Sequence, residues 1–226
     1  YVRAYLQLQR RIAHALKDAG IAHVHHTAVR HRARSSVALA SVRDFFHHLV
    51  VFPQIFAQLP FSNVAWQRDI RFADYHQRLV FDVFTSRSPP QRRRPILIFY
   101  HGGSWHGGDK YMAPPLLAFL AARGWCCVSA PYRLIPQYPF PAAVQDIKRA
   151  VKFMRESGDR WHVDGSFILL AGGSAGSHLA CVAALTPDVE SLQPGFETAD
   201  CKVQGVIAMH TPLDLRRDAS DPDGQL

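Results

Sequence analysis

Residues 167–180, Phe-Ile-Leu-Leu-Ala-Gly-Gly-Ser-Ala-Gly-Ser-His-Leu-Ala, constrain the fold more than any other stretch of the chain. The apolar run at 167–171 has the length and character of a buried strand, and Gly172-Gly173-Ser174-Ala175-Gly176 spells Gly-x-Ser-x-Gly. Small and helix-forming residues follow. That order predicts a strand, an abrupt turn and a helix. Ser174 stands at the turn in a strained conformation, and its neighbours must be nearly free of side chains because the chain passes so close to itself. The strain lifts the serine hydroxyl clear of the sheet. The first turn of the helix then aims its free amides at any negative charge forming beside that oxygen. A bare Gly-x-Ser-x-Gly is a weak signal, and the strand before it and the Ala-rich helix after it are the context that gives it meaning.

A second loop supplies what such a serine needs. Residues 96–100 read as a buried strand, and His101-Gly102-Gly103-Ser104-Trp105-His106-Gly107-Gly108-Asp109-Lys110 follows. Acyl transfer passes through a tetrahedral oxyanion, which calls for preorganised donors, and backbone N–H groups in a glycine-rich loop present themselves without obstruction. The expected donors are Gly103, with Gly102 or Ser104 beside it, and the amide of Ala175. Losing one such donor typically costs about 3 kcal/mol in the barrier. A phosphate-binding loop is the competing reading, but no Lys-Ser/Thr pair follows the glycines.

From Pro95 onward strands alternate with helices. Strands are expected at 96–100, 125–130, 167–171 and 203–209. Helices are expected at 111–123, ended by Gly124, from Pro141 to Gly158 with Val144, Ile147, Val151 and Met154 on one face, and at 175–185. This predicts an α/β domain over 62–226 with a mostly parallel sheet covered on both faces. Ahead of it, 66–72 and 79–85 alternate like strands around a loop at 73–78.

Residues 1–61 are expected to form a separate helical segment. An amphipathic helix is predicted at 2–19, and a second runs from Ser35-Ser36 to about Val51. The apolar stretch 49–61 is too short and too interrupted by Pro53 and Pro60 to span a bilayer, so the segment is a lid over the body or a peripheral anchor at a membrane interface. His23, His25, His26 and His31 lie among arginines with no carboxylate or cysteine, which favours a solvated basic turn over a metal site.

Charge follows the same division. The chain carries a net +8, with 15 Lys+Arg against 5 Asp in residues 1–94 and 11 against 13 acidic residues thereafter. A basic segment joined to a near-neutral body does not require nucleic acid, and none is expected as a partner. The four cysteines, at 126, 127, 181 and 201, have no metal-like spacing. Cys126 and Cys127 are neighbours in a strand and so point to opposite faces, as buried thiols compatible with a reducing, cytoplasmic setting. No cofactor or metal is implied.

The motifs His-Gly-Gly-Ser-Trp-x-x-Gly-Asp-Lys at 101–110, Pro-Tyr-Arg-Leu-Ile-Pro-Gln-Tyr-Pro-Phe-Pro-Ala-Ala-Val-Gln-Asp at 131–146 and Gly-Gly-Ser-Ala-Gly-Ser-His-Leu-Ala at 172–180 resemble the α/β-hydrolase superfamily. The resemblance is to its esterase/lipase branch, around hormone-sensitive lipase and the bacterial feruloyl and acetyl-xylan esterases. It covers roughly residues 64–215, and Leu185-Thr186-Pro187 with Gln193-Pro194-Gly195-Phe196-Glu197 looks like a group of actinobacterial esterases. It implies that Ser174 is the nucleophile, that Gly102, Gly103 and Ala175 form the oxyanion hole, and that Trp105 lines the pocket for a small ester substrate. Tyr132, Arg133, Pro136 and Asp146 would brace the loops beneath. An arylformamidase, or a ligand-binding member without catalysis, would share this layout.

In that family the acid and the histidine follow the serine. Only 52 residues follow Ser174 here, and they end in a loop-like run, so both groups are expected beyond residue 226 and the fold incomplete at its C-terminus. His178, one helical turn from Ser174, is expected to pack locally. His210 ends a predicted strand and is a weaker candidate base. Asp214 resembles the family's structural aspartate.

Overall fold

The computed structural model describes residues 63–112 and 115–212. The helices, histidine cluster and apolar stretch expected in the first 61 residues, and Asp214, lie outside the described residues. Six strands form one mixed sheet: β1 (Val64–Arg71), β2 (Val80–Ser86), β3 (Arg94–Tyr100), β4 (Cys126–Ala130), β5 (Val163–Gly173) and β6 (Gly205–Met209), in the spatial order β1-β2-β4-β3-β5-β6. The first two strands are a hairpin joined antiparallel to β4, and β4, β3, β5 and β6 run parallel. Parallel strands need crossover connections, and helices α1 (Pro115–Ala121), α2 (Ala142–Ser157) and α3 (Ala175–Leu185) supply them.

The period of two along a strand divides the core in two. Ile96, Ile98 and Tyr100 share one face with Cys126, Val128, Ile168 and Leu170, under Val144, Ile147, Val151 and Met154 of α2 and Leu179, Ala180 and Ala183 of α3. Leu97, Phe99, Cys127, Leu169 and Ala171 face the other way, toward Leu117, Leu120 and Ala121 of α1. Cys126 and Cys127 therefore sit on opposite faces as expected, and the four cysteines are free thiols. Because β3, β4 and β5 are covered on both sides, they read as unbroken apolar runs rather than alternating ones.

One expected element is shorter than the sequence suggests. In place of a helix over 111–123 there is a 3₁₀ turn at Lys110–Met112, and α1 begins only at Pro115. Proline at the first helical position needs no N–H donor, but its ring disfavours helix in the residue before it, so the apolar period cannot extend backward. Gly124 ends the helix at φ +91°, a left-handed conformation suited to glycine. Gly158 ends α2 differently. Its φ is −76°, and the constraint is space, because an added Cβ would lie 2.3 Å from a methyl of Val163.

Register brings the functional loops together. Tyr100 is level with Ala130 on one side and with Gly172 on the other, while Gly173 is level with Met209. The chain leaving β3 at His101 and the chain leaving β5 at Ser174 therefore emerge side by side at the C-terminal end of the parallel strands.

Candidate active site

Ser174 occupies the sharp turn predicted for it, with φ +49° and ψ −116°. Such a conformation costs a non-glycine residue on the order of 1–3 kcal/mol. It is held from both sides: the Ser174 N–H donates to the Met209 carbonyl at 2.8 Å, and its carbonyl accepts from the His178 N–H at 3.1 Å and from Ser177 Oγ at 2.7 Å. Ser177 Oγ also lies 2.7 Å from Thr211 Oγ1, which ties the elbow to the end of β6. A serine at a helix N-cap ordinarily uses its oxygen to cap the helix. Ser174 makes no capping bond, and its side chain is exposed, so the hydroxyl is left for other chemistry.

Two of the elbow glycines are required by crowding. A Cβ on Gly172 would lie 2.5 Å from the backbone of Gly176 and Ser177, and one on Gly176 would lie 2.3 Å from the Tyr100 carbonyl oxygen. Gly173 has nothing within 4 Å of such an atom. The glycine loop reaches the elbow closely enough that a Cβ on Gly102 would be 3.0 Å from the Gly173 carbonyl and 3.4 Å from Ser174 Cβ. The structure thus brings Gly102, Ser174 and Ala175 into one place. Among the described residues the amides of Gly102 and Gly103 donate to no protein acceptor.

The loop owes its shape to His101. The buried imidazole donates from Nδ1 to the Gly102 carbonyl at 2.7 Å and stacks on Tyr132 with ring centroids 4.4 Å apart, while the Tyr132 hydroxyl donates to the His101 carbonyl at 2.9 Å. Burial pushes the His101 pKa down, although the Gly102 carbonyl and the charge of Asp109 pull the other way. Gly103, at φ +121°, and Gly108, at φ +100°, complete the loop; a side chain on Gly108 would strike the His101 ring at 2.4 Å. At its far end Lys110 is anchored by ion pairs to Asp69 and to buried Asp82.

The Arg133–Asp146 part of the expected brace is present. Arg133 donates from its backbone and from Nε to fully buried Asp146, each at 2.9 Å, and the Tyr75 hydroxyl donates to the same carboxylate at 2.6 Å. Trp105 is half-buried. It packs on the core and meets His178 edge-on at 5.5 Å, and its carbonyl accepts from the Ile135 N–H at 3.0 Å. His178 packs locally as expected: burial lowers its pKa, and its Nδ1 has no partner among the described residues. His210 is exposed at φ +53° just after β6. Among the described residues, Ser174 Oγ is hydrogen-bonded to neither imidazole.

Three supports were not read from the sequence: Ser177, Tyr75 and Lys148. Lys148, fully buried on α2, donates to the carbonyl of Thr186 and to Gln193 Oε1 at 2.9 Å, which fastens the far end of the elbow helix. A polar residue in the apolar surroundings of α3 was the available sign for Ser177. No local sign marks the other two.

Among the described residues no helix is long and apolar enough to cross a membrane, and no group of His, Cys, Asp and Glu could hold a metal ion. A mostly parallel sheet with a strained serine between β5 and its helix, beside a glycine loop after β3, defines an α/β-hydrolase. The chain belongs to the BD-FAE family, whose profile matches residues 81–224. It is 42% identical over 127 residues to "Esterase LipQ" of Mycobacterium tuberculosis, covering 56% of this chain and 30% of that protein. It is 36% identical over 168 residues to "Probable carboxylic ester hydrolase LipM" of the same organism, covering 72% and 38%. The chain spans less than half the length of these relatives. Among solved structures, a truncated carbohydrate esterase from gut microbiota superposes with a TM-score of 0.58 at 24% identity, over 66% of this chain and 57% of that one. The propionate-bound Est2 esterase of Thermogutta terrifontis superposes with a TM-score of 0.57 at 24% identity, over 73% and 60%. At that identity the structures speak for the fold.

Proposed function

We propose that the protein hydrolyses carboxylic esters through an acyl-enzyme on Ser174. The observation that carries this reading is a strained, exposed serine that caps nothing, set against a glycine loop in which the Gly102 and Gly103 amides have no acceptor among the described residues. Ser174 Oγ attacks the ester carbonyl carbon, and the carbonyl oxygen takes up the negative charge beside the N–H groups of Gly102, Gly103 and Ala175. Collapse of the intermediate expels the alcohol, and water releases the acid. Trp105, within the loop, forms one wall of the pocket for a small ester. The imidazole that takes the Ser174 proton, and the carboxylate that orients it, belong to residues outside 63–212. His178 is turned to Trp105 and serves as a wall. The names of the curated relatives, esterase and carboxylic ester hydrolase, support the same reaction class.

A fluorophosphonate probe tests the assignment. The full-length protein should label and Ser174→Ala should not, with ester turnover falling by about 10⁴- to 10⁶-fold in the variant. Faster turnover of an N-formyl arylamine than of the matched ester would replace the esterase reading with a formamidase. Tight ligand binding with neither labelling nor turnover would make the protein a non-catalytic member of the fold.

A further inference from the structure

At the end of the sheet opposite Ser174, beside the first residues of β3 and β5, lies a cleft of about 520 Å³. Arg92, Arg94 and Arg123 line it together with Trp125 and Phe167, against a single acid, Asp164. The Asp164 carboxylate accepts from the backbone and the hydroxyl of Ser166 at 2.9 and 2.6 Å, and its one negative charge leaves the cleft net positive. Arg93 is there too, but its charge is matched by Asp159 at 2.7 Å.

Arg94 is the unusual member. It is only 6% exposed, and its guanidinium donates to three carbonyls, those of Trp161 at 2.9 Å, Ser86 at 3.1 Å and Ser88 at 3.2 Å. Its Nε has no acceptor, and among the described residues no carboxylate pairs with it. Buried charges are ordinarily paired, because carbonyls can solvate a cation but do not neutralise it. Arg123 adds a second uncompensated charge, its guanidinium lying 3.6 Å above the Phe119 ring and donating to the Phe119 carbonyl at 3.2 Å. Arg92, exposed on the rim, forms no ion pair among the described residues. The cleft is therefore a positive pocket with an aromatic wall, in which Trp125 and Phe167 meet edge-on at 6.2 Å.

We propose that this cleft binds a small organic anion, a carboxylate or phosphate monoester carrying an apolar group. The planar forks of exposed Arg92 and Arg123 suit both oxyanions, the buried charge of Arg94 adds to the positive field, and half-buried Phe167, backed by buried Trp125, takes the apolar part. The site is independent of the chemistry at Ser174.

Phenyl phosphate is the probe, titrated calorimetrically into the full-length protein with phenol and inorganic phosphate alongside. The test variant is the double substitution Arg92→Ala/Arg123→Ala, in which both changed residues are exposed, so the fold should survive; its melting temperature without ligand checks this. Phenyl phosphate should bind more tightly than phenol and than inorganic phosphate. The double variant should weaken it about tenfold, and Ser174→Ala should leave it unchanged. Equal binding of phenyl phosphate and phenol overturns the proposal, as does undiminished binding in the double variant or loss of binding in Ser174→Ala. Sedimentation with phosphatidic acid vesicles, without a response to phenyl phosphate, would also overturn it and make the cleft a lipid contact.

Discussion

The turn at 172–176 and the loop at 101–108 both crowd backbone against backbone, yet different contacts hold them. The turn is locked by main chain: Gly172 and Gly176 leave no room for a Cβ, and the Ser174 N–H is fixed on Met209. The loop has main-chain contacts of its own, the His106 and Gly107 N–H groups donating to the Gly103 carbonyl, but adds a side-chain buttress, with the His101 ring between Gly102, Gly108 and Tyr132. Packing of main chain has no softer alternative conformation, whereas a buttress of rings can shift by small amounts. Ser174 should thus be the rigid half of the site and the glycine loop the adjustable half.

The largest effect expected from that contrast is on the turn. Gly176→Ala would place a methyl 2.3 Å from the Tyr100 carbonyl oxygen and 2.4 Å from that of His101. The expected cost is more than about 3 kcal/mol, with loss of probe labelling; thermal melting and labelling check both. If Gly176→Ala labels normally, the turn is not locked by its backbone.

The loop should respond to pH. Burial holds the His101 imidazole below its ordinary pKa, so as pH falls the unfolded chain takes up this proton first. The stability owed to the neutral ring is complete above the unfolded value of about 6.5 and is lost as pH falls through the folded pKa. Melting temperature should decline over that window, and His101→Gln should flatten the decline. Tyr132→Phe removes only the bond to the His101 carbonyl and should cost about 1 kcal/mol. The smallest effect belongs to Gly173→Ala, since nothing lies within 4 Å of the new methyl. Near-normal stability and labelling are expected there, which would show that crowding, and not the glycine count, defines the elbow.

Local pattern accounts for what the sequence made legible. Unbroken apolar runs at 96–100 and 167–171 announced strands buried on both faces, and Ser174 between small residues announced the turn. The amphipathic face of α2, from Val144 to Met154, followed from its period. The start of α1 did not, because the apolar period ran on through the prolines. Contacts between distant residues left no trace: Tyr75 reaches Asp146 from 71 positions away, and Lys148 reaches Thr186 from 38. Each end of such a pair is an ordinary polar residue until the fold brings its partner near.

The left-handed backbone of Ser174 sets stability and chemistry against each other at a single codon. Glycine adopts φ +49° without the penalty that serine bears, so Ser174→Gly would relieve the turn while deleting the hydroxyl. A population screened only for heat tolerance would drift toward that substitution and lose the Ser174 hydroxyl without any other sign of damage. On the mechanism proposed above, the strained backbone at 174 is the counterpart of that hydroxyl's chemistry.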